Sequence, residues 1–187
     1  MRLLFLSDIH GSPANLQAVN RWLAAHPVDQ IILLGDLLYH GPRNRLSDDY
    51  APPSVVDILN GMKEKLIAVR GNCDCEVDQM LLQFPMLGDY STLLVDGRRF
   101  FLSHGHVWNA SNPPPLGTCS VLCCGHTHIP ELRHDKALGL VLFNPGSLSL
   151  PKGGFPPSFG LYEDGHLAVL ESLNPEQSLA SLDLNDC

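Results

Sequence analysis

Five short apolar runs constrain this chain more than any other feature, because each stops at a residue able to bind a cation. Residues 3–6 (Leu-Leu-Phe-Leu) lead into Ser7-Asp8-Ile9-His10, and residues 31–34 (Ile-Ile-Leu-Leu) lead into Gly35-Asp36. Residues 66–69 (Leu-Ile-Ala-Val) precede Arg70-Gly71-Asn72, and residues 100–102 (Phe-Phe-Leu) precede Ser103-His104-Gly105-His106. Residues 121–124 (Val-Leu-Cys-Cys) precede Gly125-His126-Thr127-His128. Runs this short, flanked by Gly or Ser, fit strands buried on both faces better than helices. Ligands of open α/β sheets gather beyond the carboxyl ends of strands, so these five polar termini are expected to converge.

The intervening segments carry helical periodicity. Residues 13–25 place Leu16, Val19, Trp22 and Leu23 on one stripe, with Ser12 as N-cap before Pro13. Residues 54–63 repeat the pattern with Val55, Ile58, Leu59 and Met62, and residues 76–84 predict a shorter helix. The pattern then turns to hairpins with Asp-Gly tips, at Asp96-Gly97 and at Asp164-Gly165. Residues 109–116 and 151–157 read as Pro-rich loops, and the tail after about residue 172 is expected to pack loosely. Strand-helix alternation followed by hairpins predicts an α/β protein with mixed sheets, and 187 residues suit one domain over the whole chain.

A net charge of −8, with no run of Lys or Arg, argues against a non-specific nucleic-acid binder or a partner for anionic membranes. An anionic substrate would then need an attraction other than side-chain charge, and bound metal would provide it. The apolar start is too short for a signal peptide, and no segment approaches the ~20 apolar residues of a membrane helix. Six cysteines, including Cys73-x-Cys75 and adjacent Cys123-Cys124, fit free thiols in the cytoplasm better than a disulfide framework.

The donors at the strand ends are carboxylate, amide and imidazole, with no obligatory thiolate. Such a set suits Mn²⁺, Fe or Zn²⁺ better than Ca²⁺, and Mg²⁺ least. A Gly before a ligand frees the backbone to turn, and pairs two apart such as Asp8 and His10 can point one way if the backbone stays extended. A lone strand-terminal Asp is usually a cap, and a lone His is usually a surface residue; His26, His134 and His166, in polar loop-like surroundings, take that reading. Five such ends in order are hard to explain as caps.

In this order the residues resemble the calcineurin-like metallophosphoesterases, whose signature is D-x-H, G-D, G-N, a His and G-H-x-H. Here it reads Asp8-Ile9-His10, Gly35-Asp36, Gly71-Asn72, His104 and Gly125-His126-Thr127-His128, and the likeness runs to Asn144-Pro145-Gly146-Ser147. The segments His40-Gly41-Pro42-Arg43-Asn44 and Gly71-Asn72-Cys73-Asp74 look most like the small bacterial YfcE-type phosphodiesterases of that superfamily. The resemblance implies a four-layer α/β/β/α sandwich with two mixed sheets. It also implies two divalent cations, Mn²⁺ first, with Fe, Zn²⁺ or Ni²⁺ as alternatives. By match, Asp8, His10 and His128 would hold one cation, Asn72, His104 and His126 the other, and Asp36 would bridge them. Two cations ~3.5–4 Å apart can hold a hydroxide and clamp a phosphate for in-line displacement. The implied substrate is a small phosphate diester, with homo-oligomers (dimer or tetramer) as in relatives.

One position departs from the family. Many members carry His directly after G-N, as the acid for the leaving group, and here that position is Cys73. A neutral thiol, with an ordinary pKa near ~8.5, is a poor acid and a weak hydrogen-bond donor. Diesters with good leaving groups, or help from His106, are the expected consequence. Arg43 and Asn44 are candidate phosphate contacts, weighed against a solvated loop, and His106 is a candidate rim contact or support. Phosphomonoester hydrolysis on the same site and a non-catalytic protein-binding scaffold of the same fold are the alternatives. A Cys-based phosphatase lacks its Cys–Arg spacing, a P-loop lacks Gly-Lys-Ser/Thr, and a zinc ribbon lacks paired C-x-x-C.

Overall fold

The leading strand shows how the core is arranged. In β1 (Arg2–Leu6) Leu3, Leu4, Phe5 and Leu6 are all buried, but successive side chains enter different cores. Leu4 and Leu6 pack with Leu16 and Val19 of α1 (Pro13–Ala25) and with Val55 and Leu59 of α2 (Pro52–Gly61). Leu3 and Phe5 face Phe100, Val121 and Phe143 of a second sheet. A strand with both faces covered has no polar alternation, which is why it reads as an unbroken apolar run.

The computed structural model describes residues 1–186. After β1 and α1 come β2 (Gln30–Leu33), α2, β3 (Leu66–Ala68) and a short α3 (Glu76–Leu81). The hairpin β4 (Tyr90–Val95) and β5 (Arg98–Ser103) follows, then β6 (Val121–Cys123), β7 (Glu131–Asp135) and β8 (Leu140–Asn144). The chain closes with β9 (Ser158–Glu163), β10 (His166–Glu171) and β11 (Ser178–Asp183). One six-stranded sheet has the order β11-β10-β9-β1-β2-β3, and one five-stranded sheet the order β4-β5-β6-β8-β7. Both are mixed: β1-β2-β3 and β5-β6-β8 are parallel, and the flanking strands are antiparallel. The outer face of the second sheet, with Phe101, Leu122 and Leu142, is covered by Trp108 and Leu116 from a loop, so the fourth layer is loop here.

Several expectations need correction. The tail is not loose: β11 pairs with β10, and Leu184 is buried in the inter-sheet core with its carbonyl held by Arg98. The pair β7–β8 was not anticipated. The second helix starts earlier than expected, at Pro52-Pro53, where proline's missing N–H costs nothing. Ser12 makes no cap bond of its own; Asp49, from a distant loop, accepts the Ala14 N–H at 3.1 Å. Both Asp-Gly tips have positive φ at each residue (50° and 76°; 48° and 89°), as a two-residue hairpin turn requires.

Candidate metal centre

The carboxyl ends of β1, β2, β3, β5 and β6 meet along one edge of the two sheets. There Asp36 stands between two groups of side chains: its Oδ2 lies 3.7 Å from His10 Nε2 and 3.4 Å from His104 Nε2. On one side, Asp8 Oδ1 lies 3.7 Å from His10 Nε2 and 3.3 Å from His128 Nε2. On the other, His104 Nε2 lies 3.1 Å from Asn72 Oδ1 and 3.3 Å from His126 Nδ1. The structure therefore gathers all seven candidate ligands, in two groups that share Asp36.

Local backbone geometry brings them there. Asp8, His10, Asp36, His126 and His128 all adopt left-handed φ, between 48° and 67°. Non-glycine residues seldom do this, and a cluster of them marks a site where chemistry outweighs local strain. The convergence of Asp8 with His10 thus comes from left-handed turns, not from the extended backbone expected. Glycine has two separate uses: Gly35 turns with φ +92°, while Gly71 has no room for a side chain because Asp36 packs onto its Cα.

Main-chain carbonyls fix the imidazoles. Nδ1 donates to the Tyr39 carbonyl in His10 (2.8 Å), to that of Leu34 in His104 (2.7 Å), and to that of Leu150 in His128 (2.6 Å). A carbonyl can only accept, so Nδ1 carries the hydrogen and Nε2 turns its lone pair inward. The result is a cluster of acceptors facing one another, with His10 Nε2 and His128 Nε2 only 3.3 Å apart. Asp8 Oδ1 is buried with no hydrogen-bond partner, while its Oδ2 accepts from Ser7 Oγ and the His126 N–H. Buried acceptors without donors are costly unless a cation completes them, so the donor set fits divalent metal.

The same excess of acceptors attracts protons. Burial disfavours charge on His104, yet the adjoining Asp36 carboxylate raises its pKa to about 9. His10 is likewise raised, its burial outweighed by Asp8. Asp8 and Asp36 would be raised by burial, but neighbouring imidazoles hold both below the ordinary carboxylate range. His126 is lowered, first by burial and then by the charge of His104.

Support for the centre includes a residue whose role was not foreseen. Asp74 is buried and accepts three amides, from Asp36 (2.8 Å) and Gly71 (2.7 Å) on Oδ2 and from Leu37 (2.8 Å) on Oδ1. It joins the turns after β2 and β3. Ser147 and Ser149 donate to the Asp8 carbonyl, and Asn144 donates to the Gly125 carbonyl and Thr127 Oγ1. Asp74 lies within Gly71-Asn72-Cys73-Asp74, and Asn144 and Ser147 lie within Asn144-Pro145-Gly146-Ser147, so of these supports only Ser149 lacks a sequence signal.

A cleft of about 870 Å³ opens beside the centre. Arg43 lies on its wall with an exposed side chain; the Asn44 amide there is engaged with the His40 carbonyl at 2.8 Å. Cys73 also faces the cleft, and burial, followed by the Asp36 charge, pushes its thiol up to about 12. His106 does not line this wall. Its ring lies 5.4 Å from that of His104 and 6.2 Å from that of His126, and its pKa is lowered by burial and then by His104. Lys152, which carries no sequence signal, lines the cleft as well.

The loop bearing Arg43 is anchored at both ends. Gly11 donates to the Leu37 carbonyl (3.0 Å), and the Ala51 N–H donates to the Gly11 carbonyl (2.8 Å). Ser12 Oγ donates to Asp49 Oδ1 at 2.5 Å and lies 2.6 Å from Ser47 Oγ. The loop is thus tied to the segment that follows Asp8 and His10.

A family model for the calcineurin-like phosphoesterase superfamily domain matches residues 1–164. The chain belongs to this superfamily. It is 44% identical to Phosphodiesterase YfcE of Escherichia coli K12 over 185 residues, 99% of this chain and 99% of that protein. A solved structure of YfcE, described as a phosphoesterase from E. coli, superposes with a TM-score of 0.95 at 44% identity, over 99% of this chain and 100% of that one. Vps29 from Entamoeba histolytica, solved with Zn²⁺, shares the fold at 20% identity and a TM-score of 0.63, over 99% of this chain and 100% of that one. This phosphoesterase therefore has the architecture of the superfamily along its whole described length.

Proposed function

We propose that the protein is a phosphodiesterase with two divalent cations, held by Asp8, His10 and His128 on one side and by Asn72, His104 and His126 on the other. Asp36 joins the two sets. The observation that carries this reading is the place of Asp36 Oδ2, within 3.7 Å of an imidazole nitrogen from each group. Bound there, the cations would supply a water of lowered pKa and positive charge for the phosphate. The chain itself orients the imidazoles through carbonyls, keeps Asp8 Oδ1 without a donor, and holds Asp36 by the amide of Cys73 on Oδ1 at 2.8 Å. The likeness to YfcE supports a diester over a monoester, as does Cys73, whose raised thiol pKa makes it a weak acid for poor leaving groups.

Mixed oxygen and imidazole donors support Mn²⁺, with Fe, Zn²⁺ or Ni²⁺ as substitutes. The free thiols of Cys73, Cys75, Cys119, Cys123 and Cys124 support the cytoplasm, and no helix among the described residues is long and apolar enough to cross a membrane. The exposed Val77, Met80 and Leu81 of α3 support self-association into a dimer or tetramer.

The deciding experiment is hydrolysis of bis-p-nitrophenyl phosphate and p-nitrophenyl phosphate by chelator-stripped protein, before and after Mn²⁺. Metal-restored cleavage of the diester over the monoester is expected. Preference for the monoester would overturn the diesterase assignment, and inactivity with every metal would favour a scaffold.

A further inference from the structure

The chain has 20 acidic and 12 basic side chains, yet the mouth of its cleft is not acidic. Asp36 and Asp74 are its only acidic lining residues. The Asp74 carboxylate is taken up by three amides, and Asp36 turns to the imidazoles. What faces outward is Arg43 and Lys152, 109 positions apart in sequence, both exposed. Four cations away from the cleft pair with carboxylates: Arg2 with Glu163, Arg45 with Asp48, Arg70 with Asp89, and Arg133 with Glu131 and Asp135. Among the described residues neither Arg43 nor Lys152 has an acidic partner within ion-pair distance. A cationic mouth in an acidic protein attracts anions locally despite the net charge.

The two cations stand at different ends of the centre. Arg43 belongs to the loop packed at Cys73, where a side chain on Gly41 would meet the sulfur at 3.0 Å. Lys152 belongs to the segment wrapped around His128: its N–H donates to the His128 carbonyl at 3.0 Å, and its carbonyl accepts the Phe155 N–H at 3.3 Å. Two positions earlier, Leu150 takes the His128 Nδ1 hydrogen. The backbone of Lys152 is therefore fixed beside the centre, with only its side chain free to reach a ligand. A diester phosphate occupying the centre carries one negative charge, which the centre itself would engage, so a second cation site on each flank suits charge elsewhere on the substrate.

We propose that Lys152 is a specificity-determining residue that binds a second phosphate group on the substrate. The preferred substrates are then phosphodiesters bearing an additional phosphate, with Arg43 engaging the opposite flank. This rests on the diesterase reading given above.

A matched pair of chromogenic diesters tests it: thymidine 5′-(p-nitrophenyl phosphate) with and without a 3′-phosphate, which share one scissile bond and one leaving group. The wild-type Mn²⁺ enzyme should favour the 3′-phosphorylated probe in kcat/KM by about fivefold, the size of one favourable exposed ion pair. That advantage should shrink as salt rises. Lys152→Gln should bring the ratio near unity, and Lys152→Arg should keep it. No wild-type advantage, or an advantage unchanged in Lys152→Gln, would overturn the proposal. A loss equal for both probes would leave Lys152 as a mere support for His128 and overturn it too. If the wild type cleaves neither probe, the diesterase reading fails separately. Calorimetry then decides the site: thymidine 3′,5′-bisphosphate should bind more tightly than thymidine 5′-monophosphate to wild type but not to Lys152→Gln, and equal binding to wild type would reject it.

Discussion

In the centre beside the cleft, Asp8, His10, Asp36 and His104 are at most 2% exposed, and each is fixed by the main chain or by another buried group. At its mouth, Arg43 and Lys152 are exposed and without acidic partners. The centre has excess negative and acceptor character and is rigid; the mouth is cationic and its side chains are free. Rigidity belongs where reacting atoms must be placed, and free charge belongs where substrates are sorted. The two regions should therefore respond to mutation in different currencies, the first in turnover and the second in substrate preference.

The largest effect should come from the group shared by both halves of the centre. Asp36→Asn removes the shared charge while keeping the shape, and kcat is expected to fall at least about a thousandfold, several kcal/mol of charge stabilisation. Circular dichroism should show a folded protein; full activity with two metals bound would break the assignment. Asp74→Ala comes next, because it strands three amides that the carboxylate now satisfies. A loss of about 3 kcal/mol in unfolding free energy is expected, roughly 1 kcal/mol for each stranded donor. An unchanged denaturation midpoint would show that water replaces the carboxylate.

Cys73→His probes the boundary between the regions. An imidazole there would restore an acid, and cleavage of diesters with poor leaving groups should improve about tenfold more than that of p-nitrophenyl esters. A uniform change for both would refute the missing-acid explanation. The larger ring also has to push against Gly41, whose backbone packs at the Cys73 sulfur, so KM should rise in the same variant. The smallest effect belongs to the mouth. Arg43→Ala should raise KM about threefold, the size of an exposed ionic contact. Asp49→Ala, which unties the same loop from Ser12, should do likewise, and the double variant should match the worse single one. Additive losses would show that Asp49 does not act through Arg43.

Legibility in the sequence follows the same division. The seven residues of the centre follow short apolar strands, buried in β1, β2, β5 and β6 and half-buried at the sheet edge in β3, and each local motif carries both the strand and the donor, so order along the chain revealed the cluster. The superfamily fold was legible for a related reason, since strands buried on both faces have no other pattern. Lys152 was not legible because it comes together with Arg43 only in space, and a count of charges gives no position. Asp49 is hidden in the same way: it caps α1 from 35 residues away along the chain. Of the three missed strands, β7 and β11 are edges, whereas β8 is internal and fully buried, and its run Leu-Val-Leu-Phe marks a strand as plainly as the other five. In β7 the residues Glu131-Leu132-Arg133-His134-Asp135 are largely solvated, and β11 is built of Ser, Ala and Leu, so neither presents an apolar run. His10 and Asp8 were expected to converge on extended backbone, whereas left-handed φ cannot be inferred from residue type when the residue is not glycine.

The three imidazoles tethered through Nδ1 to the carbonyls of Tyr39, Leu34 and Leu150 have a kinetic consequence. Their anchors are main-chain atoms of the fold itself, so the rings keep their aim whether or not an ion is between them. Loading and unloading then proceed without rebuilding the pocket. Entry of an ion would need no refolding step, and which ion the carboxylate, amide and imidazole donors take up would depend on supply in the surrounding medium. The resident metal of such a protein is a property of its habitat as much as of its sequence.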